Sequence, residues 1–318
     1  MKIMLAPMEG VVDNYLRNIL TTIGGFDLCV TEFVRVVDQL LPPKVFHRFC
    51  PELSAGSTTE AGTPIILQLL GSDPDAMAAN AVRAVELGAP GIDINFGCPA
   101  KCVNKRNGGS YLLQNPQNLF DVVSAVRKAV DKQVPVSAKI RLGFENTDLA
   151  LDNARAVEDA GATYLVVHAR TKADGYKAPV RWEWLAKIND VISIPMVANG
   201  DINSVEDYRR CLEISGCEDI MIGRGAVARP DLARQIKRFQ NNIDGDIMQW
   251  PEVLSLLINM STDMTKDVKT RYIVSRTKQW LALLKKEYSE AEECFGHIRK
   301  MTDYHDVQKA LNDQYASL

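Results

Sequence analysis

The stretch Pro64-Ile65-Ile66-Leu67-Gln68-Leu69-Leu70-Gly71 is an apolar run carrying one polar residue, and Ser72-Asp73-Pro74 follows it. An amphipathic segment, Asp75–Leu87, comes next, then a second apolar run, Gly91-Ile92-Asp93-Ile94-Asn95-Phe96-Gly97. Near-continuous hydrophobicity over so short a run suits a parallel strand covered by helices. An Asp before Pro is a helix-start signal. The stretch therefore reads as one strand–helix–strand unit. The same kind of apolar run recurs at Ile3–Met8, Leu28–Val34, Val136–Gly143, Tyr164–Arg170, Pro195–Asp201 and Asp219–Ala226, which makes eight strands in all. Amphipathic Pro116–Val130, Leu149–Ala160 and Ser204–Ile214 lie between them, with start signals at Asn115-Pro116 and Asn203-Ser204. Eight β/α units predict an α/β fold of the TIM (β/α)8 barrel type. An open doubly wound sheet would carry G-x-G-x-x-G after its first strand, and Pro7-Met8-Glu9-Gly10 does not supply it.

Beyond Gln240 the pattern changes. Asn241-Asn242-Ile243-Asp244-Gly245-Asp246 is a polar linker, and four helices are expected after it: Trp250 to about Met264, Val268–Tyr288, Ser289–Lys300 and Tyr304–Tyr315. The expected division is a barrel over 1–242 and a C-terminal all-α helical bundle over 243–318. The 318 residues have ordinary composition, 46% apolar and 24% charged. The N-terminal apolar run is too short for a signal peptide, and no segment approaches the ~18 apolar residues that span a bilayer. Seven cysteines, odd in number and without a C-x-x-C pair, indicate neither a zinc site nor a disulfide framework. A cytoplasmic chain is expected, and a monomer, since no long heptad stands out. A net charge of −3 argues against a general nucleic-acid binder.

Barrel chemistry sits at the carboxyl ends of the strands. In order these ends carry Pro7-Met8, Glu32 to Arg35, Gln68, Asn95 with Cys98, Lys139 with Arg141, His168 with Arg170, Asn199-Gly200-Asp201 and Gly223-Arg224-Gly225. Buried polar groups are costly unless paired, so their concentration at strand ends points to a site. The last two clusters occupy the corner where many barrels bind phosphate; turn glycines needing positive φ are the plainer account. Lys139 reads as a stabiliser of an anionic ring, a rim ion pair, or an amine nucleophile. His168 reads as a hydrogen-bonded rim residue or a cofactor contact. Asp93-Ile94-Asn95-Phe96-Gly97-Cys98-Pro99 puts a thiol on a tight turn beside an Asn, which suggests acid/base chemistry; a packed free Cys is the bland alternative. Ala100 to Ser110, with its glycines, suits a lid.

Ile92 to Pro99, followed by Val103 and Gly109-Ser110, resembles the signature of the tRNA-dihydrouridine synthases. Leu5 to Val11, Gln68 to Gly71, Lys139 to Gly143, His168 to Thr171, Ala198 to Asp201 and Met221 to Gly225 are similar to that family in the same order, over essentially the whole chain. Thr31 to Leu41 and Lys278-Gln279-Trp280-Leu281 resemble the bacterial C-type branch, which acts at position 16 of the tRNA D-loop. Lys105-Arg106-Asn107 departs from the family, which tends to carry Gly and small residues there. The resemblance implies an FMN enzyme that uses NADPH to reduce the C5=C6 bond of uridine, with hydride passing from flavin N5 to C6. It implies that Pro7, Met8, Glu9 and Gln68 border the ring system and that Lys139 lies at its N1/O2 edge. It further implies that His168, Asn199, Gly200, Asp201, Gly223 and Arg224 hold the phosphate arm. Asn95 and Tyr176 are expected at the uracil, with Arg35 and Arg141 as further RNA contacts.

On that reading Cys98 donates the proton to C5, a role that suits an ordinary thiol, which is mostly protonated near neutrality. Cys102 is expected to be structural. The helix from Val268 carries Lys269, Tyr272, Arg276 and Gln279 at spacings of three and four, with Lys278 on a neighbouring stripe. By itself this is a solvated face. The resemblance makes Tyr272, Arg276 and Lys278 expected tRNA contacts. The competing readings are a flavin reductase of a free pyrimidine or enone, a flavin-free aldolase or isomerase using Lys139, and a non-catalytic tRNA-binding module.

Overall fold

The computed structural model describes residues 1–318. Its strands are β1 (Ile3–Leu5), β2 (Leu28–Val30), β3 (Val34–Arg35), β4 (Ile65–Leu70), β5 (Ile92–Phe96), β6 (Val136–Arg141), β7 (Tyr164–His168), β8 (Met196–Asn199) and β9 (Asp219–Ile222). All pairings are parallel. They run β2-β1-β9-β8-β7-β6-β5-β4, and a β2–β4 pairing closes the ring of eight, so the barrel expected from the sequence is the barrel formed. β3 adds a two-residue extension beside β4.

Most strands are shorter than the apolar runs by a residue or more at one or both ends, and two departures bear on the site. The run Leu28–Val34 does not stay one strand. The hydroxyl of Thr31 accepts from the Gln68 amide at 3.0 Å, a side chain standing where a ladder carbonyl would, and pairing resumes only at Val34. The last strand stops at Ile222, because Gly223 turns the chain into a short helix, Arg224–Ala228. The capping signals hold. Asp73 accepts from Ala76 N at 2.7 Å, Asn115 from Gln117 N at 3.1 Å, and Ser204 from Asp207 N at 3.0 Å, each satisfying an amide that the first helical turn leaves unpaired.

Successive strand residues face opposite sides. On β5, Ile92, Ile94 and Phe96 join the large apolar layer between barrel and helices, so Asp93 and Asn95 face the barrel interior. The lower interior is filled by Met4, Ala6, Val30, Ile66, Val166, Val197 and Met221. One step further towards the carboxyl ends stand Gln68, Asn95, Lys139, His168 and Asn199, while β5 and β6 place the buried Asp93 and Ser137 below them. The barrel thus has a largely apolar floor and a polar mouth.

Beyond β9 no strand forms. The expected C-terminal helices are Trp250–Asp263, Thr270–Leu284, Ser289–Ile298 and Tyr304–Ala316. Their apolar faces merge with the barrel's helical layer in one contiguous core, and the Trp280 indole, fully buried, donates to Val227 O at 3.0 Å. No helix is long and apolar enough to cross a membrane.

Candidate active site

At the carboxyl-end mouth lies a cleft of about 460 Å³, a size common among small-molecule sites. Pro7, Met8, Glu9, Gln68, Asn95, Cys98, Lys139, Arg141, His168, Tyr176, Asn199, Gly200, Asp201, Gly223 and Arg224 all line it, so residues from seven strand ends converge there. Phe33 and Leu283 line it as well and were not singled out from sequence. Apolar residues in an apolar run carry no mark of their own, and Leu283 comes from a helix beyond the barrel.

The Cys98 turn is held from both sides. Asn95 Oδ1 accepts from the Gly97 and Cys98 amides at 2.9 and 2.8 Å. The Cys98 carbonyl accepts from the Ser110 hydroxyl at 2.9 Å and from Asn104 Nδ2 at 3.0 Å. Gly109 lies beneath at φ +60°, where a Cβ would come within 2.9 Å of the Cys98 carbonyl oxygen; only glycine fits. The thiol packs among Phe33, Leu70 and Val103, and burial pushes its pKa up. The shift favours the protonated thiol.

Cationic groups form the opposite part of the lining. Lys139 Nζ donates to Asn199 Oδ1 at 2.9 Å, and Asn199 Nδ2 to the Met221 carbonyl at 2.8 Å. Burial, with Arg141 adding repulsion against the attraction of Asp93, brings the Lys139 pKa down to about 8. Burial, then Arg141, Lys139, Arg170 and Arg224, hold His168 well below its ordinary pKa, so its imidazole is neutral.

At the β8 and β9 corner, Asp201 accepts from Arg224 at 2.6 Å and from Arg170. The pair of guanidiniums outweighs the single carboxylate, so the corner stays positive. The Tyr176 ring lies over it, with the guanidinium carbons of Arg224 and Arg141 at 4.9 and 5.2 Å from its centroid. Arg141 also donates to the carbonyls of Gly97 at 2.8 Å, Thr171 at 3.0 Å and Gly175 at 2.9 Å. It thereby ties the Cys98 turn to the Tyr176 loop. Tyr176 is 56% exposed.

Four residues expected in RNA contact lie outside the cleft. Arg35 donates to the Cys102 carbonyl at 2.9 Å, bracing the segment after Cys98. Tyr272 is exposed. Lys278 is directed inward, donating to the Arg299 carbonyl at 3.0 Å and to that of Met301. Arg276 differs most from expectation: it is 3% exposed. Its guanidinium donates to Asp13 Oδ2 at 2.8 Å and to the Val11 carbonyl at 2.6 Å. Helical spacing identified a stripe but not which side of it packs, and the partner that buries Arg276 comes from the loop after β1. Asp13 Oδ1 meanwhile caps the Asn14–Ile23 helix. Removing one member of a buried pair leaves the other uncompensated. Arg276→Ala is therefore expected to lower stability by about 3 kcal/mol, read from the denaturant midpoint. A midpoint equal to that of the parent protein would remove Arg276 from this joint.

A family model described as "Dihydrouridine synthase (Dus)" matches residues 4–315. A tRNA-dihydrouridine(16) synthase of Pseudomonas syringae pv. tomato is 54% identical over 303 residues, covering 95% of this chain and 96% of its own. Proteins of the same name from Aquipseudomonas alcaligenes and Escherichia coli O157:H7 are 50% and 47% identical, each over 98% of this chain and over 99% and 97% of their own. Among solved structures, the old yellow enzyme homologue from Zymomonas mobilis superposes with a TM-score of 0.52 at 15% identity, over 79% of this chain and 91% of its own. A 2-naphthoyl-CoA reductase complex gives 0.58 at 14% identity, over 79% of this chain and 51% of its own. These distant likenesses show a shared fold.

Proposed function

Because this chain belongs to the dihydrouridine synthase family, we propose that it reduces the C5=C6 bond of a tRNA D-loop uridine, at position 16, to 5,6-dihydrouridine, with FMN bound and NADPH as reductant. The observation that carries this reading is a thiol and a buried lysine lining one cleft, together with amides, guanidiniums and a neutral imidazole.

The residues fit a phosphorylated flavin. Gly200 and Gly223 keep the corner open: a Cβ on either would lie 3.1 Å from His168 Cδ2 or 3.3 Å from Met8 Sδ. Arg170 Nη1 is a buried donor with no partner in the protein. Arg224, the 199–201 turn and Gly223 would hold the phosphate arm, and Lys139, Gln68 and the Pro7–Glu9 segment the ring. A bound flavin would supply the hydride needed at uracil C6. Cys98 Sγ holds the proton that C5 requires. Asn95 and Tyr176 orient an unstacked base by edge contact and stacking, as readers of single-stranded RNA do. The buried Lys139 ammonium stabilises negative charge on the heterocycle it faces.

Residues 243–318 would dock the tRNA. Lys269, Arg271 and Tyr272 remain exposed on the Thr270–Leu284 helix and its approach, and they replace Arg276 as the expected phosphate-facing group. Binding there should weaken steeply with added salt. The test is to map dihydrouridine in tRNA from cells lacking the gene and to repeat the reduction with purified, FMN-loaded protein. Loss of the modification at position 16, restored by the protein with NADPH, is the expected result. Undiminished turnover of a free pyrimidine or enone without tRNA would replace this reading with a small-molecule reductase. Colourless protein that takes up no FMN would end it.

A further inference from the structure

Asp93 opens the cysteine-bearing motif, is fully buried, and has no part in the chemistry above. Sheet register sets it directly between Gln68 on β4 and Ser137 on β6. Its Oδ2 accepts from Gln68 Nε2 at 2.6 Å and its Oδ1 from the Ser137 hydroxyl at 2.6 Å. Gln68 Oε1 in turn accepts from Asn95 Nδ2 at 2.8 Å. Asn95 Oδ1 closes the chain on the Gly97 and Cys98 amides.

Every bond from the Gly97 and Cys98 amides to Asp93 donates in the same direction, and Ser137 donates to Asp93 from the other side. Backbone N–H groups can only donate, so Asn95 must present its oxygen to them and its nitrogen to Gln68. Gln68 must then accept through its oxygen, which turns its nitrogen onto Asp93. A carboxylate accepts there without needing a proton of its own, so both ends of the chain agree and neither amide can flip without two donors or two acceptors meeting. Such chains polarise one another and strengthen cooperatively. Each amide nitrogen retains one N–H outside the chain, and both residues line the cleft.

We propose that Asp93 is a positioning residue: its carboxylate locks Gln68, and through it Asn95, so that the cleft meets two N–H donors suited to the carbonyl oxygens of a planar heterocycle. The kind of heterocycle rests on the proposed function; the locking does not. Burial pushes the Asp93 pKa up, and the hydrogen bonds from Ser137 and Gln68, with Lys139 nearby, oppose that shift.

Two substitutions separate this role from bulk stability. Asp93→Leu keeps the volume and removes the acceptor. Asp93→Asn keeps an acceptor for Gln68, because Ser137 can rotate its hydroxyl to accept from the new amide. In fluorescence titration of flavin-stripped protein, Asp93→Leu is expected to raise the FMN Kd about tenfold, the loss of one oriented hydrogen bond. The KM for tRNA should rise with it, and Asp93→Asn should restore most of both. Equal losses in the two variants would assign Asp93 to charge balance and overturn the proposal, as would wild-type affinity in Asp93→Leu. Wild-type protein that binds no FMN would end the flavin reading alone. The crystal structure of Asp93→Leu then decides: a turned or disordered Gln68 amide carries the proposal, and an unmoved one overturns it.

Discussion

Cys98→Ala protein is expected to fold, take up FMN and bind tRNA like the parent, while turnover falls by about 10²–10⁴, the usual contribution of a positioned general acid. Three features of the turn support so large an effect without loss of structure. The Cys98 backbone is fixed by Asn95, Ser110 and Asn104, none of which touches the sulfur through a hydrogen bond. The thiol is pushed up by burial, so it holds its proton throughout the neutral range. Its surroundings are Phe33, Leu70 and Val103, apolar side chains that offer no alternative proton donor. Single-turnover kinetics should show flavin oxidation by tRNA slowed in the variant while flavin reduction by NADPH keeps its rate. Unchanged turnover would eliminate Cys98 as the donor; Cys102, which is exposed, would be the next residue to replace.

Lys139→Met is expected to lower turnover by about 10²–10³, comparable to removing one donor from a preorganised site. The pH profile gives this prediction its sign. Lys139 is brought down to about 8 by burial, so its ammonium is present below that pH and lost as pH rises through it. Cys98 is shifted the other way and remains protonated there. The alkaline limb of the parent enzyme should therefore fall near pH 8 and belong to the lysine. In Lys139→Met the residual activity should be flat across that pH. A limb that persists unchanged in the variant would assign the titration to another group.

The barrel was legible because its strands announce themselves twice, by apolar runs and, in most of them, by a polar residue near the carboxyl end. Gln68, Lys139, His168 and Asn199 stand out for being out of place in such strands, and they proved to share one mouth. What stayed hidden depends on partners distant in sequence. Nothing in Leu28–Val34 tells that the Thr31 hydroxyl will stand in for a carbonyl and interrupt the ladder. Arg276 read as a surface cation because Asp13, far away in the chain, was not visible as its counter-ion. Asp93 was visible as a letter of the motif, but its role emerges only when register brings Gln68 and Ser137 to either side.

The grip of Arg276 on Asp13 and Val11 has a bearing on how such proteins diversify. Met8 and Val11 form one wall of the cleft, and a guanidinium from the C-terminal helices holds the loop that carries them. In a chimaera that exchanged only residues 243–318, the joint survives only where the incoming helices carry an arginine at the position of Arg276, so the segment after β1 and the helices are best exchanged together.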